Sequence, residues 1–99
     1  VYTESMLSFS EKREYLLTVL LRAQSLTPTE KIVALAMAFK IDENGNVDLR
    51  IRELAVLSSL NPRSVRRAIM RLREKINLEV RVEGKKNIYR FIQWSSLAL

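Results

Sequence analysis

Leu54–Ile69, LAVLSSLNPRSVRRAI, reads as the end of one short helix, a tight turn, and the start of a longer helix. Ile51, Leu54, Ala55 and Leu57 give the first helix an apolar side over Ile51–Ser58. Ser58-Ser59-Leu60 makes the turn. Asn61 then supplies a side-chain oxygen for the free N–H groups of the next helix, and Pro62 suits its first turn, where no N–H is needed. Val65, Ala68, Ile69, Leu72 and Ile76 recur at three- and four-residue spacing, so this second helix runs to about Lys75 with one buried stripe. At about 100° per residue the opposite side centres on Arg63, Arg67, Met70 and Glu74, with Arg66 and Arg71 at its edges.

The charge of the chain is concentrated around this segment. Arg50–Arg90 contains twelve basic and four acidic residues, a surplus of eight. The rest of the chain has five basic against seven acidic, which leaves the net charge at +6. A surplus confined to one segment is suited to a polyanion, because each phosphate it neutralises releases condensed counterions.

Upstream, Thr27-Pro28-Thr29-Glu30 is a helix start in which Thr27 and Glu30 can cap reciprocally. Ile32, Leu35, Ala36 and Phe39 follow on one face, broadened by Val33 and Met37, and the helix should end near Lys40. Asp42–Asn46 is a turn cluster. Asp42, Glu43, Asn44 and Asp48 superficially resemble a calcium loop but have neither the spacing nor the terminal glutamate. Val47-Asp48-Leu49 is too short for a strand unless it pairs with others. Before all of these, Ser8 and Glu11 have capping-box spacing, which predicts a helix over Ser10–Gln24 behind a poorly ordered Val1–Phe9. Tyr15, Leu16, Leu17, Val19, Leu20, Leu21 and Ala23 cover more than half its circumference, more than one packing face needs. Either its own core clasps it on two sides, or part of it forms a homodimer contact.

Downstream the period changes to two. Leu78, Val80 and Val82 alternate with Glu79, Arg81 and Glu83, and Gly84-Lys85 suits a two-residue hairpin turn. That register sets Val80 opposite Tyr89, Leu78 opposite Phe91 and Glu79 opposite Arg90. A four-residue loop would set Arg81 against Arg90, a like-charge clash. Tyr89 and Phe91 then fall on the core side, and Trp94 in the tail is expected to pack back on the domain.

Ninety-nine residues, 47% of them hydrophobic, suffice for one modest core. No apolar run approaches the ~18 residues of a membrane span; the longest candidate, Tyr15–Leu21, contains Thr18 and stops at Arg22. Without cysteine or histidine the chain lacks thiolate and imidazole metal ligands and the commonest general base. No glycine-rich phosphate loop or catalytic constellation is found, so no cofactor, metal or enzymatic activity is expected. No secretory or transit pattern opens the chain, and a cytoplasmic setting is expected, nucleoid-associated when DNA is bound. The start at Val1 suits a domain cut from a longer protein.

The order helix, short strand, helix, turn, helix, hairpin is that of a winged helix-turn-helix. Leu54, Ala55, Leu60, Asn61, Arg63, Ser64, Val65, Arg66, Arg67, Ala68 and Ile69 resemble the LA-x-x-L-G-V-S-x-x-T-V-x-R-A-L pattern of bacterial and phage winged-helix proteins. LTPTEKIVALAMAFKIDENGNVDL is similar to the first helix and strand of the winged domains of phage and plasmid replication proteins, and is compatible with GntR-like and MarR-like regulators. The resemblance covers about residues 26–91. It departs from the pattern at Ser59, where the turn glycine stands, and at Pro62. It implies a mainly α fold with a small antiparallel sheet: an N-terminal helical extension over residues 1–25, a winged domain over 26–92 and a tail over 93–99.

The function it implies is sequence-specific binding of duplex DNA, in replication initiation or transcription regulation. The alternatives are a protein-docking winged helix and a basic RNA-binding module. Arg63 and Arg67, on the outer face of the early second helix, are the expected base readers, since arginine can grip guanine O6 and N7 with two bonds. Asn61 and Ser64 are secondary contacts to phosphate or base. Arg66, Arg71 and Arg73 are expected on phosphates, and Lys85 and Lys86 at the hairpin tip on backbone or the adjacent minor groove.

Overall fold

Ser8 opens the described chain with the expected reciprocal cap. Its hydroxyl accepts from the Glu11 N–H at 3.1 Å, and its own N–H donates to the Glu11 carboxylate at 2.9 Å. The computed structural model describes residues 8–96. Most of the expected poorly ordered start, residues 1–7, and the last three residues of the tail lie outside that range. Helix α1 spans Phe9–Arg22, starting one residue earlier and ending two residues earlier than the sequence predicts. Phe9 is its first residue because Ser8 is the cap, and its ring meets Trp94 edge-on at 5.8 Å.

Helices α2 (Pro28–Phe39), α3 (Ile51–Ser58) and α4 (Pro62–Lys75) follow, with strand β1 (Asn46–Val47) between α2 and α3. Strands β2 (Glu79–Glu83) and β3 (Lys86–Arg90) form the hairpin, and a short α5 (Gln93–Ser96) ends the described chain. The protein is therefore mainly helical with one three-stranded antiparallel sheet, ordered β1-β3-β2. Asn46-Val47 counts as a strand because it finds β3: Val47 pairs with Tyr89 and Asn46 with Arg90. The β2–β3 register sets Val80 against Tyr89, Glu79 against Arg90 and Glu83 against Lys86, which leaves Gly84-Lys85 as the turn. Gly84 has φ +64° there. Val82 departs from the expected alternation. It is 70% exposed, because the hairpin from Arg81 to Lys86 extends past the core.

The core gathers Leu16 and Leu20 of α1, Val33, Ala34, Met37 and Ala38 of α2, Leu54 and Ala55 of α3, and Val65, Ala68, Ile69 and Leu72 of α4. Val47, Tyr89 and Phe91 join it from the sheet side. Only one side of α1 is sealed: Tyr15, Val19 and Leu21 remain exposed.

Two local devices fix the pose of α4. At its start, α3 ends on Ser59 in the left-handed conformation (φ 57°, ψ 39°), and the Leu60 N–H reaches back to the Ala55 carbonyl at 3.0 Å. This is the closure that glycine makes cheaply; serine adopts it at a cost of about 1 kcal/mol. At its end, the Lys75 ammonium donates to the Glu30 carboxylate at 2.7 Å and to the Ser25 carbonyl at 2.9 Å. Glu30 also accepts from the Thr27 N–H at 3.0 Å, and its own N–H donates to the Thr27 hydroxyl at 3.2 Å. One buried carboxylate thus joins the cap of α2 to the last turn of α4.

Burial pushes the Glu30 carboxyl up, and the bonds from Lys75 and Thr27 outweigh it, so the group titrates below its ordinary value. The stability it contributes is present above the unfolded-state pKa and is lost as pH falls through the lower folded value. Lys75→Ala leaves this carboxylate buried without its cation. The variant is expected to lose about 2 kcal/mol at pH 7 in urea unfolding. Below the lowered folded value of Glu30 the gap to wild type should narrow, because the carboxyl is then protonated in both proteins. An equal gap at both pH values would mean that Lys75 acts through packing alone.

Candidate nucleic-acid interface

Asn61 caps α4 as its type and position require. Its side-chain oxygen accepts from the Ser64 N–H at 2.8 Å. That commits the oxygen to the helix and leaves the amide NH2 as the group able to reach outward. The stripe Val65, Ala68, Ile69 and Leu72 is buried, so Arg63, Arg66, Arg67, Met70, Arg71 and Arg73 face solvent. Ser64 is half-buried.

Little offsets this charge from within the chain. Arg71 lies 3.9 Å from Glu74, both well exposed, a pair of small net worth. Among the described residues no carboxylate comes within ion-pair distance of Arg63, Arg66, Arg67 or Arg73. The four repel one another until an anion arrives.

The two flanks of α4 differ. On one side an open cleft of about 750 Å³ lies between the starts of α3 and α4 and the hairpin. It is lined by Arg50, Arg52, Arg66, Lys85 and Lys86, with Glu83 as the one acid. Buried Tyr89 closes its inner end. Its hydroxyl makes no well-formed hydrogen bond, and burial pushes the phenol up against the pull of nearby Asn87 and Arg66. On the other side a shallow groove of about 200 Å³ runs between α4 and the start of α2, lined by Thr27, Thr29, Ser64, Arg67 and Arg71, with Glu30 as its one acid. Arg73 turns away from both, into a hollow beside the sheet with Asn77, Arg81 and Arg90. Arg63, Met70 and Glu74 line none of these hollows and form the crest of the helix.

The structure alters several expectations for individual residues. Arg67 lines the groove toward α2 rather than standing at the centre with Arg63, Met70 and Glu74. Lys86 is not a free tip cation: its ammonium bonds the Asp48 carboxylate at 2.8 Å and ties the hairpin to the segment after β1. Arg81 is held by Glu83 at 2.8 Å, and Lys85 alone of the two turn lysines has no described carboxylate within pairing distance. Arg50 and Arg52 join the cleft although their sequence positions assign them no role; their closeness to Arg66 arises from packing. Their inclusion in the basic stretch Arg50–Arg90 was the available signal.

Asp42 uses its carboxylate on its own turn, accepting from the Asn44 and Asn46 N–H groups at 2.8 and 2.9 Å. No described helix is long and apolar enough to cross a membrane. Comparison of the chain with protein families, with curated proteins and with solved structures finds no match.

Proposed function

We propose that this chain is a winged helix-turn-helix domain that binds duplex DNA sequence-specifically, in a replication initiator or a transcription regulator of phage or plasmid type. The observation that carries the proposal is the exposed side of α4, where Arg63, Arg66 and Arg67 stand without a carboxylate partner among the described residues and a basic cleft continues to the hairpin. A helix is about 10–12 Å across with its side chains and the major groove about 12 Å wide, so α4 fits the groove while the cations on its shoulders meet the backbones. On this reading α4 is the recognition helix and β2–β3 the wing.

The test is selection of bound duplexes from a random pool, followed by titration of the winner against a scrambled duplex and a structured RNA. Enrichment of one sequence, bound at least tenfold better than the scramble, is the expected result. Preference for the RNA, or no enrichment, would shift the assignment to an RNA-binding or protein-docking module.

The wing contributes charge without base reading. Lys85→Ala is expected to weaken specific and non-specific duplexes alike and to flatten the salt slope by about 1. Lys86→Ala should change the slope less, since Asp48 already neutralises that ammonium. Equal effects of the two would mean that the Asp48 pair opens on DNA.

A second copy is the partner proposed for the unsealed side of α1. Leu17 and Leu21 line an apolar groove with Ile32, Leu35, Ala36 and Phe39 of α2 and Leu57 of α3, and no polar residue lines it. A two-fold contact there would set two recognition helices on half-sites one helical turn, or a multiple of it, apart. Leu17 is already partly packed on the core, so Leu21→Glu with Phe39→Glu is the cleaner probe. Sedimentation at micromolar concentration should show a wild-type dimer and a folded monomeric variant. A monomeric wild type, with and without its DNA site, would remove the dimer.

A further inference from the structure

Met70 is 64% exposed on a helix side otherwise made of cations and Glu74. Helical side chains lean toward the N-terminus, so its thioether lies over the turn that carries Arg66 and Arg67. Those two arginines open onto opposite flanks, Arg66 into the hairpin cleft and Arg67 into the groove beside α2. Met70 occupies the line between them, together with Arg63 one heptad earlier.

We propose that Met70 reads a thymine 5-methyl group on the floor of the major groove. The inference rests on the duplex-binding reading above and adds a specificity-determining residue to it. The chemistry leaves one class of target. A thioether donates no hydrogen bond and accepts only weakly, so it cannot use the donor and acceptor pattern of the base edges. The thymine methyl is the one apolar group that the major groove offers in that code. The flanking cations hold the phosphates on either side, and the crest between them faces the floor.

The spacing also sets the register. Seven residues separate Arg63 from Met70, a rise of about 10 Å along the helix. The helix follows the groove rather than the duplex axis, so the thymine should lie within a few base pairs of the guanine gripped by Arg63, on the side toward the C-terminus of α4.

The experiment uses the duplex selected by the whole chain, with each thymine replaced in turn by deoxyuridine. This removes the methyl group and leaves every hydrogen-bonding atom in place. Wild type is expected to lose about three- to fivefold in affinity at one position, the value of burying about one methyl group. Met70→Ala should bind the unmodified duplex weaker by a similar factor and be indifferent to deoxyuridine there, while still rejecting changes at the guanines. Met70→Gln, of similar size but polar, should also lose the methyl preference.

Exposure of the side chain makes a folding defect in these variants an unexpected complication, and unchanged thermal melting checks it. A wild type insensitive to every deoxyuridine, or a Met70→Ala protein that keeps the full methyl penalty, overturns the inference and leaves duplex binding standing. A wild type that selects no sequence overturns the duplex reading itself, and this inference with it.

Discussion

Arg63→Ala combined with Arg67→Ala is expected to weaken binding of the selected duplex by about 2–5 kcal/mol, from about 1–3 for each bidentate guanine contact. The two residues are one helical turn apart on α4 and share one stretch of groove, so their effects need not add. Both side chains are exposed and have no carboxylate partner among the described residues, and alanine favours helix, so the doubly substituted protein should remain folded. The informative quantity is the difference between specific and scrambled duplexes. Loss of base reading lowers the first far more than the second and relaxes selection at the contacted pairs. Loss of two phosphate contacts lowers both alike and flattens the salt slope by about 2. Parallel losses would therefore move the reading role from these arginines to other residues on the crest. Arg67 is the more exposed to that outcome, since it stands on the shoulder of the helix beside α2.

The second large effect is on stability and comes from a residue with no side chain. Gly45→Ala is expected to cost about 3 kcal/mol. Gly45 has φ +85°, a conformation that costs an L-residue about 1–2 kcal/mol. A Cβ there would also stand 2.5 Å from Cδ1 and 2.7 Å from Cγ of Trp94. The indole cannot easily give way. It is 3% exposed, its N–H donates to the Glu43 carbonyl at 3.3 Å, Phe9 meets it edge-on, and the Lys12 ammonium lies 4.5 Å from its ring centre. For a domain of about 100 residues this loss corresponds to a fall in melting temperature of roughly 12–24 °C. Trp94→Ala should also be strongly destabilising. If the clash is the main cost, Gly45→Ala added to Trp94→Ala should cost only the backbone part, about 1–2 kcal/mol. A melting temperature within about 3 °C of wild type for Gly45→Ala alone would show that the turn and the indole separate without penalty.

These two predictions mark where sequence was sufficient and where it was not. Helix starts are local: Ser8 with Glu11, Thr27 with Glu30, and Asn61 before Pro62 satisfy free N–H groups within three residues of themselves. All three were legible from spacing and recur as hydrogen bonds. The stripe of α4 was legible because a 3.6-residue period leaves few choices of buried side. The hairpin register followed from Gly84 and from the charge pairing of Glu79 with Arg90.

Contacts between elements distant in the chain had no such local signal. The docking of β1 on β3, the Lys86–Asp48 and Lys75–Glu30 pairs, and the approach of Trp94 to Gly45 join residues 38 to 49 positions apart. Each requires the core to have set the relative positions of helices and sheet. For the candidate site, sequence alone determined which residues share the outer side of α4. Only the tertiary structure decided which of them stand free, which lean into a flank and which lie on the crest. The physical reason is that a helix sets directions within one turn, whereas the partners that neutralise or shoulder a side chain come from whatever the packed core brings beside it.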